Sequence, residues 1–484
     1  MNKQQKSLII AVILGVLLYL FLPTDSGLTE GGVRMLAAFI PTVFLWLTCG
    51  TGWPSLLGVT VAALLLVTNG SSAYSVFWGN ICAAAVIPFL MVASVMEENG
   101  TFEWLVKWVI SRKFIHGRPT LFMIMFSLAM VIMSIFTAPQ VVAVLFLTLL
   151  QEVTTSIGYT KESSFYKSHG LMVGWVSQTC DAILPWGRPY VLTLVALVAG
   201  FGFTKLNSMN YLLLAFPYLL ILLVVKWVVI KLIMRPDVSK FSNFDDAAIR
   251  ADLKAHPINR QGKIASLGMV FILICYLLAS CSFLGGVADY FSNISIAASV
   301  SLVCALLCVI TVDGKPIMDL GKAAAKVPWT MIMFLGAVMF FANNVGSSDF
   351  GVAAFLQNLM SPIVNNIPTM AAVLLGLALG SLLTNFCSNT VSGVAVCSAF
   401  VPAMMNVAGI NQALVLAFGM AMISICGTAF CTPSASPTMG IIYSDMGVPY
   451  KGTAKYSVIV CAVMILVSAF ILVPLGSTLL QGLV

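Results

Sequence analysis

The chain has 484 residues; 8% are charged, 60% are hydrophobic, and the formal net charge is +7. Soluble domains carry about 25% charged residues, so a chain this poor in charge could not cover its surface in water. The composition excludes a soluble protein and specifies an all-α polytopic membrane protein, in which the surplus of Lys and Arg sets orientation rather than contacting nucleic acid.

Apolar runs of about twenty residues fit membrane helices rather than outer-membrane strands. In chain order the first runs are 7–22, 33–49, 53–68 and 76–96. The stretch "FLPTDSG" after the first run is a poor cleavage site, so the N-terminal helix is expected to stay attached. Next come 119–136 and 140–153, separated by so few polar residues that 119–153 reads as a re-entrant hairpin with its tip inside the membrane. The run 169–201 is too long for one span and has prolines midway, which predicts a broken helix. With 209–233 the first half, 1–233, is complete. The polar segment 234–263 reads as a linker with an amphipathic surface helix. The second half, 264–484, runs through 264–285, 293–312 and 328–345, a second hairpin over 368–406, a second broken helix over 412–445 and a last span over 455–479. About eleven crossings and two hairpins remain.

Charge supports this count. With the N-terminus in the cytoplasm, Lys3 and Lys6, the cluster from Lys107 to Arg118, the cations of 235–263, and Lys315, Lys322, Lys326, Lys451 and Lys455 all fall on one side. The C-terminus then lies outside, and a bacterial inner membrane is the expected location.

The two halves repeat each other. "SIFTAPQVVAV" from Ser134 and "TNFCSNTVSGV" from Thr384 both sit mid-hairpin. Pro185 and Pro189 in "ILPWGRPYV" match Pro433 and Pro437 in "FCTPSASPT". Ser134 to Pro185 is 51 positions and Thr384 to Pro433 is 49. By the charge count one hairpin opens from the cytoplasm and the other from outside, the inverted-repeat pattern of secondary transporters. Helices broken inside a membrane are tolerated where they line a cavity. The new N-terminus suits an anion, and the carbonyls and hydroxyls at the preceding C-terminal end suit a small hard cation. Helix–helix hydrogen bonding would be the simpler use of these polar residues.

At these residues the chain resembles the divalent-anion:sodium symporter family of the ion transporter superfamily. Ser388-Asn389-Thr390, with Thr384 upstream, is similar to the triplet at that family's hairpin tips, and "TPSASPT" to its facing break. The resemblance implies a homodimer, an elevator-type movement, and substrates such as dicarboxylates, citrate or sulfate. It implies Thr384 and Asn389 as Na⁺ ligands of a second cation site, with backbone oxygens near Cys431 and Pro433. It implies Ser388, Asn389 and Thr390 as substrate ligands, with Pro433 and Ser436 facing them.

The first half departs from this pattern. Ala138-Pro139-Gln140 stands where the triplet is expected, so Ser134, Thr137 and Gln140 are the remaining polar candidates and the first Na⁺ site, at Ser134, is in doubt. The facing loop carries Arg188, a costly intramembrane cation expected to neutralise a substrate carboxylate. Asp181 either pairs with Arg188 or couples protons. Lys226 and Lys231 are expected to snorkel to the inner surface, His116, His169 and His256 to lie at the surface, and the cysteines to act as small hydrophobes. No cofactor is expected beyond Na⁺ as coupling ion, and no catalytic or metal-cluster motif appears. The sequence reading is a non-enzymatic secondary transporter of a small anion, most simply a di- or tricarboxylate, coupled to Na⁺ or to counter-substrate. A proton-coupled carrier of another solute and a channel-like anion conductor are the rivals.

Overall fold

The first helix, α1 (Lys3–Phe21), begins at a capping box. Asn2 accepts from the Gln5 N–H at 2.9 Å, and the Gln5 side chain accepts from the Asn2 N–H at 3.0 Å. It packs on α2 (Glu30–Cys49), which is followed by α3 (Gly52–Leu64), α4 (Gly70–Gly79) and α5 (Ile81–Glu98). The computed structural model describes residues 2–484 except 25–26, 51, 113–114, 116, 135–136, 181, 183–188, 208–209, 244–246, 281–284, 346, 365, 387–388 and 445–446. Of the chain, 79% is helix and 1% strand. The fold is the all-helical membrane architecture expected from the composition.

The rest of the first half comprises α6 (Thr101–Ile110), α7 (Pro119–Ser134), α8 (Pro139–Ser156), α9 (Ser164–Cys180), α10 (Pro189–Gly200) and α11 (Leu212–Val228), which continues as π-helix to Met234. The linker holds α12 (Ala247–Ala255). The second half comprises α13 (Arg260–Ser280), α14 (Gly286–Val309), α15 (Leu320–Ala325), α16 (Trp329–Val345), α17 (Val352–Val364), α18 (Thr369–Thr384), α19 (Asn389–Met405), α20 (Gln412–Cys426), α21 (Pro437–Ile442), α22 (Tyr450–Val467) and α23 (Val473–Leu479).

Among the described residues six helices are long and apolar enough to cross a membrane, or seven if the bent pair Asn358–Val364 and Thr369–Thr384 is one span. Several apolar helices of 10–17 residues, including Pro119–Ser134, Asn389–Met405 and Gln412–Cys426, are shorter than the roughly twenty residues of an ordinary crossing. Short pieces are what broken helices and hairpins are made from. The runs 119–153 and 368–406 each split into two helices at a tip, α7/α8 and α18/α19. The run 412–445 loses its helix midway, between α20 and α21, while the expected break in 169–201 falls on residues that, Ala182 apart, lie outside the described ones.

Packing interleaves the halves. Helices α1–α5 pack with α13, α14 and α16, whereas α7–α11 pack with α18–α20, α22 and α23. The two groups meet where α10 lies on α16 and where α17 lies on α19.

Two expectations about single residues are overturned. Lys226 does not snorkel. It is fully buried, and its ammonium donates to Thr179 Oγ1. It lies eight residues before Met234, about 12 Å along the helix, and it faces α9 rather than the surface. Lys231 is exposed. His169 is also buried: its Nδ1 lies 2.9 Å from the Phe165 carbonyl and its ring stacks among Phe122 and Phe165. Both were misplaced for the same reason. Distance from the end of a hydrophobic run says nothing of which way a side chain faces. His256 is exposed as expected, and His116 lies outside the described residues.

Helices α6 and α12 are clasped. Lys107 Nζ lies 2.7 Å from both Glu103 Oε1 and Asp252 Oδ2. The hydrogen bond from Lys107 holds the Asp252 carboxyl below its ordinary value of 3.8. A depressed carboxylate contributes stability above its unfolded value and loses it as pH falls through the folded value, so this clasp weakens only in strong acid. Asp252→Asn is expected to speed hydrogen exchange of the α12 amides. The side chain is 38% exposed, so the effect on stability is at most about 1 kcal/mol.

Candidate cation and anion site

The second hairpin tip forms because polar side chains replace the helical hydrogen bonds that end there. Asn385, in the turn after α18, donates through Nδ2 to the carbonyls of Ser381 at 2.8 Å and Thr428 at 3.0 Å. Its Oδ1 accepts from the Cys431 N–H at 2.8 Å. One buried side chain thus stitches the tip to the break that follows α20. Ser381 Oγ and Thr428 Oγ1 add a second tie at 2.7 Å. In hydrocarbon each of these groups would otherwise be unpaired, at several kcal/mol.

Thr384, the last residue of α18, is completely buried. Its Oγ1 lies 2.9 Å from Asn389 Oδ1, with the amide oriented oxygen-first, and 2.7 Å from the Cys426 carbonyl. A hydroxyl has one proton for these two acceptors. Three oxygens therefore converge where α18 ends, α19 begins and α20 ends, with more lone pairs than protons. The backbone oxygen beside Thr384 belongs to Cys426, not to Cys431 or Pro433 as expected. The helix α20 stops there, and its terminal carbonyl has no partner within the helix. Cys431 instead gives its N–H to Asn385, and Pro433 is exposed.

Of the other expected ligands, Thr390 is buried in the first turn of α19 and Ser436 caps α21, accepting from the Met439 N–H at 3.2 Å. Ser388 lies outside the described residues. In the first repeat Ser134 ends α7 with its Oγ buried and without a hydrogen-bond partner among the described residues. Thr137 and Gln140 flank the start of α8, both half-buried. Pro139 holds the place that Asn389 holds in the second repeat and has no side-chain oxygen. Asp181, Pro185 and Arg188 lie outside the described residues.

The C-terminal ends of α9 and α20 lie against each other. A Cβ on Gly427 would meet the Gln178 carbonyl and Thr179 Cα at 3.3 Å each, tighter than usual, so the end of α20 packs closely on α9. Applying the 248-residue offset between Pro185 and Pro433 places Thr179 opposite Gly427 in the repeat. At this junction Thr179 Oγ1 donates to the Trp175 carbonyl at 2.7 Å and receives Lys226. No described carboxylate pairs with the ammonium; it serves the negative end of α9 instead.

The sequence reading singles out neither Cys426 nor Thr428, assigns Asn385 no partner, and places Lys226 at the inner surface. Cys426 acts through its backbone and leaves no sequence signal. A thiol pair was also unforeseen. Cys431 Sγ, in the break, lies 3.3 Å from Cys461 Sγ on α22. A two-electron oxidant is expected to join them as a disulfide, releasing two protons and pinning the break to α22. Transport should fall severalfold, return with dithiothreitol, and be insensitive in Cys461→Ser.

Comparison with known proteins agrees in kind. The family profile described as "Citrate transporter" matches residues 35–396. The arsenical pump membrane protein of Escherichia coli (strain K12) is 21% identical over 344 residues, covering 66% of this chain and 74% of that protein. The Na(+)/dicarboxylate cotransporter 3 of Rattus norvegicus is 27% identical over 132 residues, covering 27% of this chain and 21% of that protein. These matches bear out the ion-transporter resemblance first read at Ser388-Asn389-Thr390.

Proposed function

The chain belongs to the citrate transporter family, and on that premise we propose that it carries a small di- or tricarboxylate across the membrane, coupled to Na⁺ bound at Thr384, Asn389 and the Cys426 carbonyl. The coarser statement, a secondary anion transporter embedded in the membrane, follows from the family itself. The observation that carries the finer reading is the oxygen trio, which has a surplus of lone pairs around the fully buried Thr384 hydroxyl. Oxygen ligands suit a small hard cation.

The anion would bind beside that cation, at the tips around 134–140 and 384–390 and the breaks at 185–189 and 433–438. Thr390, Ser436 and the N-terminal end of α19 would supply donors on the second-repeat side, and Arg188 would supply a fork on the first. A homodimer moving its α7–α11 and α18–α23 group against the rest as an elevator is the cycle this packing supports best. The second reading is exchange against counter-substrate. Pro139 in place of an oxygen ligand favours it, because the first repeat then binds no coupling Na⁺.

The test is uptake into proteoliposomes of citrate, dicarboxylates, sulfate, an arsenical oxyanion and neutral amino acids under Na⁺, proton or counter-substrate gradients. We expect a carboxylate to be accumulated under an inward Na⁺ gradient, and Arg188→Ala to abolish it. Uptake confined to neutral solutes, or currents far above carrier turnover, would overturn the reading. Accumulation that requires internal substrate and ignores Na⁺ would select exchange.

A further inference from the structure

We propose that Cys431 and Cys461 form a dithiol site that chelates a trivalent arsenic or antimony centre, which clamps the second helix break to α22. The two thiols come from different elements. Cys431 lies in the break between α20 and α21, Cys461 lies on α22, and their Sγ atoms are 3.3 Å apart. Cys461 is buried. Cys431 is half-buried beside the exposed Pro433 and Ser434, which leaves a small molecule a side from which to reach the pair.

Both sulfurs are held in place. The Cys431 N–H donates to Asn385 Oδ1 at 2.8 Å, and Cys461 Sγ donates to the Thr428 carbonyl at 3.5 Å. One turn before Cys461, Ser457 Oγ receives the Trp175 indole N–H at 2.9 Å and lies 2.8 Å from the Tyr443 hydroxyl. Those two contacts tie α22 to α9 and to the end of α21. Thiols fixed this way lose little freedom on chelation, and once one has bonded the other meets the centre at high effective concentration.

The separation selects the centre. Two thiolate bonds of about 2.3 Å that span 3.3 Å meet at about 92°. With the same bond length a tetrahedral zinc needs its sulfurs about 3.8 Å apart, and a linear two-coordinate ion about 4.6 Å. Trivalent arsenic and antimony are thiophilic and pyramidal, with three bonds close to right angles and a lone pair on the fourth side. The two cysteines supply two of those bonds, and the third stays with the substituent that the centre brings. No oxidant is needed: R–As=O and two Cys–SH give R–As(S–Cys)₂ and water, both thiol protons leaving with the oxygen. Because Asn385 joins Cys431 to the hairpin tip, the chelate would also hold the tip around Thr384 in one arrangement.

Intact-mass spectrometry of the full chain with one equivalent of phenylarsine oxide tests this. The expected product is a single adduct, heavier by the reagent less one water. After proteolysis, the peptides carrying Cys431 and Cys461 should be joined through arsenic. Mercaptoethanol should displace the adduct at least tenfold more slowly from the wild-type chain than from Cys431→Ser or Cys461→Ser, and dimercaptopropanol should strip it from all three. Cys304→Ser/Cys308→Ser, which removes two thiols one turn apart on α14, should leave the adduct unchanged. The joined peptides are read on the unaltered chain, so misfolding of a variant does not decide the outcome. In proteoliposomes the adduct should slow carboxylate uptake severalfold in wild type and not in Cys461→Ser. That last arm alone rests on the proposed transport, so a chain that carries no carboxylate would still show the adduct. Arsenic on other cysteines, equal displacement from wild type and the single variants, or loss of the adduct in Cys304→Ser/Cys308→Ser would each overturn the site. Full uptake by the adduct would overturn the clamp.

Discussion

Lys226→Met is expected to fold normally and to lose transport. The side chain is fully buried in a span, its ammonium donates to Thr179, and no ion pair joins it to a described carboxylate. A charge inside a membrane helix costs about 2.5–3.5 kcal/mol or more on insertion scales. Replacing a buried charge with an apolar side chain of similar length is often neutral or stabilising, so the melting temperature should stay level or rise. The loss lies elsewhere. The ammonium offsets the negative end of α9 at the junction with Gly427, an effect of up to about 2 kcal/mol in buried geometry, or about thirtyfold. Anion uptake at subsaturating substrate should fall by that order. Lys226→Arg keeps the charge but not the shape and should recover part of it. A variant that transports normally would reduce Lys226 to a packing residue.

The second large effect is expected at Thr384. Thr384→Val keeps the volume and removes the oxygen shared by Asn389 Oδ1 and the Cys426 carbonyl. The Na⁺ concentration for half-maximal uptake should rise tenfold or more, which is about 1.4 kcal/mol of binding. Substrate affinity at saturating Na⁺ should change much less. The unpaired Cys426 carbonyl costs about 1–3 kcal/mol of stability. Thr384→Ser, which restores the oxygen, separates the two effects. Equal Na⁺ dependence in wild type and Thr384→Val would remove the trio from the coupling site.

The sequence made some of this legible and hid the rest for physical reasons. Composition gave the solvent, and hydrophobic run length gave the helices. The polar residues from Thr384 to Thr390 marked a helix break, because the hairpin and the repeated prolines opposite favour a break over helix–helix hydrogen bonding. The direction in which a helix faces was not legible. On α11 the buried residues Ala215, Leu219, Leu222 and Lys226 follow a helical stripe, but the exposed face carries Leu213, Phe216, Leu220, Val224 and Val228. Lipid and protein interior are equally apolar, so no contrast in hydropathy reveals the inward face. Lys226 therefore read as a residue near a span end, although it continues the buried stripe. Backbone ligands such as the Cys426 carbonyl have no side-chain signature, and the partners of Asn385 are set by the meeting of elements some 45 residues apart, Thr428 and Cys431.

The most direct test of the central claim is an experimental map of the chain in lipid with saturating Na⁺ and a transported carboxylate. The account predicts a cation among Thr384 Oγ1, Asn389 Oδ1 and the Cys426 carbonyl, and the anion beside it against Thr390 and the start of α19. A carboxylate bound elsewhere, with Thr384 still hydrogen-bonded to its two neighbours and no ion between them, would contradict it.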